Sequence, residues 1–153
     1  MTSNSFGRAF SYTVVGVAAV LHRPVRPFEL GTVLPVRMDR IQIQQVITNL
    51  VRNAVDELKN YKGERTVIVE FEPHGNRSVI VRVKDTGPGI APDVLKRLFE
   101  SFNTSKSDGV GIGLAISKRI IASHHGEIRG RNRKKGGAAF QFVLPIDAKA
   151  EEL

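Results

Sequence analysis

Gln44-Gln45-Val46-Ile47-Thr48-Asn49-Leu50-Val51-Arg52-Asn53-Ala54 forms the middle of an amphipathic run from Arg40 to Lys59. Ile43, Val46, Ile47, Leu50, Val51, Ala54, Val55 and Leu58 recur at spacings of three and four, which predicts one long helix with a continuous buried stripe. Asp39 stands where an N-cap belongs, and Tyr61-Lys62-Gly63 ends the run. Two amides interrupt the apolar surface. Asn49 and Asn53 are four residues apart, so they project from one face, about 6 Å apart along the axis at 1.5 Å per residue. Buried amides need partners, so this pair either bonds neighbouring backbone or faces a ligand.

Downstream of the helix, Thr66 to Glu72 and Ser78 to Lys84 alternate between apolar and polar residues. With the turn chemistry of Pro73-His74-Gly75-Asn76-Arg77 they read as a hairpin of a sheet with one wet face. Pro92 opens a short helix carrying Val94, Leu95, Leu98 and Phe99, and Asn103 to Asp108, polar and glycine-bounded, reads as a mobile loop. Gly111 to His124 is a second amphipathic helix ended by Gly126, followed by a hairpin of Glu127–Asn132 and Ala138–Leu144 through Gly136-Gly137. Upstream, the first dozen residues read as a loose leader, Tyr12 to Leu21 as a strand, and Leu30 to Arg37 as another strand after Pro24 and Pro27. Helices and antiparallel strands segregate, which predicts an α+β sandwich.

The chain has 153 residues, 41% of them hydrophobic, enough for one core and one domain. No apolar run approaches the roughly 20 residues that span a bilayer, so a soluble protein is expected. The absence of cysteine excludes disulfides, thiolate metal sites and a cysteine nucleophile, and is compatible with a reducing cytoplasm. The net charge of +8 invites a nucleic-acid reading, but the basic residues are dispersed. Their densest run, Arg129 to Lys135, lacks interleaved aromatics for base stacking and reads as a solvated hairpin, so neither nucleic acid nor membrane is an expected partner.

Asp85-Thr86-Gly87-Pro88-Gly89-Ile90 ends the second strand of the first hairpin. Val79, Val81 and Val83 alternate into the core ahead of it, which puts the Asp85 carboxylate at the sheet's edge beside a sharp turn. An ionised carboxylate only accepts hydrogen bonds. It suits the exocyclic amine of adenine, whereas guanine offers a carbonyl oxygen there and would oppose two acceptors. Gly87 and Gly89 permit positive φ and close backbone approach while Pro88 stiffens the turn, leaving room for a flat base. The plainer alternative is an ordinary Asp-x-Gly turn. Gly109-Val110-Gly111-Ile112-Gly113-Leu114 joins three glycines to a helix start, whose free amides suit phosphate oxygens. Its spacing is neither a Walker loop nor a dinucleotide fingerprint. Thr104, Ser105 and Lys106 add two hydroxyls and a cation immediately upstream, where a lid over a triphosphate would want them. A neutral carbonyl oxygen is a suitable single ligand for Mg²⁺, which makes Asn53 the candidate metal ligand. Together these pieces describe an ATP site.

In this order and spacing the motifs resemble the catalytic, ATP-binding domain of two-component sensor histidine kinases, within the GHKL superfamily, over Met38 to Pro145. Gln44 to Ala54 resembles the asparagine box, Asp85 to Ile90 the first glycine box, and Phe99-Glu100-Ser101-Phe102 the phenylalanine box. Gly109 to Leu114 resembles the second glycine box, Thr104-Ser105-Lys106 a short lid like that of nitrogen- and oxygen-sensing kinases, and Gly136-Gly137-Ala138-Ala139-Phe140 the closing glycine segment. The resemblance implies a Bergerat fold: a two-layer sandwich whose mixed, mainly antiparallel sheet is covered on one face by about three helices. It further implies that ATP·Mg²⁺ lies between the long helix and the lid, in contact with Asn49, Arg52, Asn53, Asp56, Asp85, Gly87, Gly89, Ile90 and Phe102 as well as the lid and Gly109–Leu114. Asn49, Asn53 and Lys106 are its implied catalytic residues. The implied chemistry is transfer of the γ-phosphoryl group to a histidine, and the implied location is cytoplasmic.

The family's phosphoacceptor lies on a helical dimerisation domain, and the four histidines here, His22, His74, His124 and His125, do not match that motif. The acceptor is therefore expected on another domain or chain, with a response regulator as an indirect partner and this chain itself a monomer. Residues 1–28 match the family poorly, 29–146 are expected to form the catalytic domain and 147–153 a tail. Asn53 to Glu57 is also similar to the corresponding helix of gyrase-like ATPases, but these place a glutamate base where Asn49 stands, and an amide has no useful basicity. A serine kinase of the anti-sigma type, or a module that only binds nucleotide, is a further alternative.

Overall fold

The computed structural model describes residues 38–75, 77–100 and 112–145. The expected strands at Tyr12–Leu21 and Leu30–Arg37, the loop at Asn103–Asp108, and Phe102, Thr104, Ser105, Lys106, Gly109, Val110 and Gly111 of the expected site lie outside the described residues.

The long helix, α1, spans Arg40–Leu58 and begins as its sequence predicts. Asp39 caps it by accepting from the backbone N–H groups of Ile41 and Gln42 at 2.9 and 3.1 Å. Its apolar stripe is sealed: Ile43, Val46, Ile47, Leu50, Val51, Ala54 and Leu58 are all buried. Each large aliphatic side chain removed from water in this way contributes about 1.5–3 kcal/mol, so the stripe holds the two layers together.

Four strands, β1 (Val67–Pro73), β2 (Ser78–Asp85), β3 (Glu127–Asn132) and β4 (Ala138–Pro145), form a sheet of order β1-β2-β4-β3, antiparallel throughout. Val81 pairs with Phe142, and Val83 with Phe140, so the two central strands present one apolar face to the helices. The opposite face carries ion pairs between Lys84 and Glu70 at 2.5 Å and between Arg82 and Glu72. It is less wet than alternation alone suggests, because Ile80 and Ala139, which lie outside the main core, are buried there too.

Helix α2 (Pro92–Lys96) is short, and the residues after it turn Leu98 onto β3. A Cβ at Gly130 would stand 2.3 Å from the Leu98 Cδ2, so glycine there is what lets this segment dock. Helix α3 (Gly113–Ser123) packs along α1 and over β3. It ends in a doubly bonded turn in which the N–H of Gly126 meets Ile121 O at 2.9 Å and that of His125 meets Ala122 O at 3.0 Å. The left-handed residue is His125, at φ 57°. Gly126 is needed for closeness, since a Cβ there would lie 2.2 Å from Val143 O.

His124 Nε2 accepts from the backbone N–H of Asp39 at 3.0 Å, and its Nδ1 lies 2.7 Å from Ile120 O. The imidazole thereby ties the end of α3 to the start of α1.

Candidate nucleotide-binding site

Asp85 ends an inner strand of the sheet, flanked by β1 and β4, and not its edge. Its side chain is buried, 4% exposed. Oδ1 accepts two backbone N–H groups, from Gly87 at 2.8 Å and Ala138 at 3.1 Å. The first closes the ordinary Asp-x-Gly turn, so this plainer reading is correct for one oxygen. The other oxygen, Oδ2, has no hydrogen-bond partner among the described residues, yet it is not sealed from solvent. A carboxylate pinned through one oxygen and open at the other is a fixed acceptor awaiting a donor.

The turn after Asp85 is held on every side. Thr86 accepts from the N–H of Thr66 at 2.9 Å and donates its hydroxyl to Glu64 O. Gly89 has φ +84°, as expected for the turn, whereas Gly87 does not use positive φ. Gly87 is buried against α1, where a Cβ would lie 3.4 Å from Leu58 Cδ2 and 3.8 Å from Glu57 Cβ. The turn therefore rests on the last turn of α1, one helical turn beyond Asn53.

At the other end of the same face, Asn49 meets the start of α3. Its Nδ2 donates to Gly113 O at 3.3 Å and to Ser117 Oγ at 3.4 Å, while the Ser117 hydroxyl donates to Gly113 O at 2.8 Å. Asn49 is thus a tether between helices. Ser117, completely buried, was not singled out in the sequence; a hydroxyl on the apolar face of an amphipathic helix is the signal that could have marked it. Ile112 N-caps α3 with no side-chain hydrogen bond, and the first turn holds no acidic residue, so nothing among the described side chains competes for an anion there. Leu114 and Ile90 pack partly against the core.

Asn53 lies between these two anchor points, half-buried and without a hydrogen-bond partner among the described residues. An orphaned amide on a helix face is what a single oxygen ligand to a hard cation requires. No group of three or more His, Cys, Asp or Glu side chains is placed to hold a metal among the described residues, so Mg²⁺ fits only as an ion taking most of its shell from phosphate and water. Arg52 is exposed, and Asp56 is ion-paired with Lys59 at 2.6 Å. The site's described parts thus bring together Asn49, Asn53, Gly113 and the Asp85–Ile90 turn along α1.

The family of histidine kinase-, DNA gyrase B- and HSP90-like ATPases matches residues 38–148. The chain belongs to this family, and its fold and motifs are those of the ATP-binding catalytic domain of sensor histidine kinases. It is 42% identical over 107 residues to the sensor protein FixL of Bradyrhizobium diazoefficiens, covering 70% of this chain and 21% of FixL. The mycobacterial sensor histidine kinase MprB superposes with a TM-score of 0.70 at 25% identity, covering 92% of this chain and 95% of that one. Full-length ShkA, in complex with AMPPNP, superposes with a TM-score of 0.63 at 32% identity, over 74% of this chain and 23% of ShkA. No helix among the described residues is long and apolar enough to cross a membrane.

Proposed function

We propose that this domain binds ATP·Mg²⁺ and transfers the γ-phosphoryl group to a histidine carried on a separate helical dimerisation domain, in the cytoplasm, for onward transfer to a response regulator. The observation that carries the reading is the half-satisfied Asp85 carboxylate, with Oδ1 fixed by two N–H groups and Oδ2 open, beside a helix whose Asn53 amide is unbonded among the described residues. ShkA, at 32% identity, holds AMPPNP, which supports the nucleotide class.

In this reading Oδ2 accepts the adenine amine, and the flat turn from Gly87 to Ile90 lies along the base. Asn53 supplies a carbonyl oxygen to Mg²⁺, which neutralises charge on the phosphate oxygens when bound. Asn49 fixes the start of α3 so that its uncapped N–H groups face the phosphates, and Thr104, Ser105, Lys106, the Gly109–Gly111 amides and Arg52 supply further donors to them. Phosphoryl transfer asks for positioning and charge neutralisation more than covalent help. An incoming imidazole nitrogen forms the new bond to γ-phosphorus as the bond to the ADP oxygen breaks.

Asn49 bears on the choice between transfer and hydrolysis. Its NH₂ group is occupied by Gly113 and Ser117, and an amide is no general base, so activation of water has no agent at this position. Incubation with γ-labelled ATP and an isolated dimerisation domain should yield acid-labile, base-stable label on the histidine. Acid-stable phosphoserine, or rapid release of phosphate with no labelled protein, would replace this reading with one of the alternatives.

A further inference from the structure

The turn between β3 and β4 grips both ends of the Asp85–Ile90 segment. At the far end, Asn132 Oδ1 accepts from the Ile90 N–H at 2.7 Å and its Nδ2 donates to Ile90 O at 2.8 Å. At the near end, Arg133 Nη1 donates to Asp85 O at 2.5 Å, and the Ala138 N–H supports Oδ1. The hairpin is itself closed by bonds from Arg133 N to Gly137 O at 2.9 Å and from Gly136 N to Arg133 O at 3.2 Å. It therefore behaves as one clamp with two jaws.

We propose that Asn132, aided by Arg133, is a positioning residue for the nucleotide, acting through the backbone of Asp85 to Ile90 to hold Oδ2 and the flat turn in register for adenine. The proposal rests on the nucleotide reading of that turn. After Asp85 the chain leaves the sheet, so Ile90 has no strand neighbour to satisfy its backbone groups. The Asn132 amide, a donor and an acceptor side by side, takes the place of that neighbour. Gly89, immediately before, is left-handed and is the least constrained residue of the turn, so the Asn132 grip on Ile90 limits its freedom. Without the grip, only a fraction of molecules would hold the competent turn, and apparent affinity would fall by that fraction. Neither residue needs to touch the ligand.

The test is calorimetric titration of the whole chain with ATP and ADP in Mg²⁺, alongside ligand-free thermal unfolding and amide exchange over residues 86–90. Asn132→Ala is expected to weaken both nucleotides about tenfold, to speed exchange at Gly89 and Ile90, and to leave the unfolding midpoint nearly unchanged. Arg133→Met, which keeps the aliphatic stem but removes the donor to Asp85 O, is expected to show a smaller loss of the same kind. Asp85→Asn serves as the control for the underlying reading. If wild type fails to bind, or Asp85→Asn binds like wild type, both readings fall together. If Asp85→Asn is weakened while Asn132→Ala and Arg133→Met bind like wild type, the positioning role alone is overturned. Loss of affinity in step with a lowered unfolding midpoint would likewise reduce the clamp to a structural contact.

Discussion

Two amides one helical turn apart on α1 do different jobs. Asn49 spends its donors on Gly113 and Ser117, whereas Asn53 has no partner among the described residues. Substitution should separate them. Asn53→Ala is expected to leave folding intact and to abolish most of the Mg²⁺ dependence of ATP affinity, measured by titration with and without the metal. Asn49→Asp keeps the size but opposes a carboxylate oxygen to Gly113 O, which keeps its bond from Ser117, so the helix tether is lost and ATP binding should weaken even without Mg²⁺, by about 0.5–1.5 kcal/mol, the scale of one hydrogen bond. Gly137 is the residue whose identity matters most sterically. Its φ is +81°, and a Cβ would stand 2.0 Å from Asp85 O, so Gly137→Ala should cost about 2–5 kcal/mol in denaturant unfolding, the sum of left-handed strain and overpacking.

Among the elements, α1 was legible because its signal is local: a strict period, a capping Asp39, and a stop at Tyr61-Lys62-Gly63. Both hairpins were legible from alternation and turn residues. At the end of α3 the sequence does not tell the left-handed residue from the close-packed one: His125 takes the left-handed conformation and Gly126 serves a close approach to Val143. His125→Gly should therefore stabilise the fold by about 1 kcal/mol, read as a shift in unfolding midpoint, with no change in nucleotide affinity. The bonds of Asn132, Arg133 and His124 are illegible in the sequence for another reason. Asn132 bonds Ile90 across 42 residues, Arg133 bonds Asp85 across 48, and His124 bonds Asp39 across 85, and no local pattern carries such pairings. For Asn132, a polar amide at a strand's end just before a glycine turn is the faint mark that was present.

For the molecule as a whole, one helix organises the site. Its C-terminal turn supports the Asp85 segment through Leu58 and Glu57, its middle meets α3 through Asn49, and its buried stripe welds both to the sheet. Leu50→Ala, at a fully buried position, should lower stability by about 2–5 kcal/mol while the protein that remains folded binds ATP normally. The central claim is that Asp85, fixed through Oδ1, reads the purine through Oδ2. Its most direct test is calorimetric titration of wild type and Asp85→Asn with ATP and with GTP. Wild type should prefer ATP, and Asp85→Asn should lose about 1.5–3 kcal/mol of ATP affinity, the scale of a hydrogen bond to a charged group, while the gap to GTP narrows. Equal affinity of wild type for the two nucleotides, or an Asp85→Asn variant that binds ATP undiminished, would contradict the account.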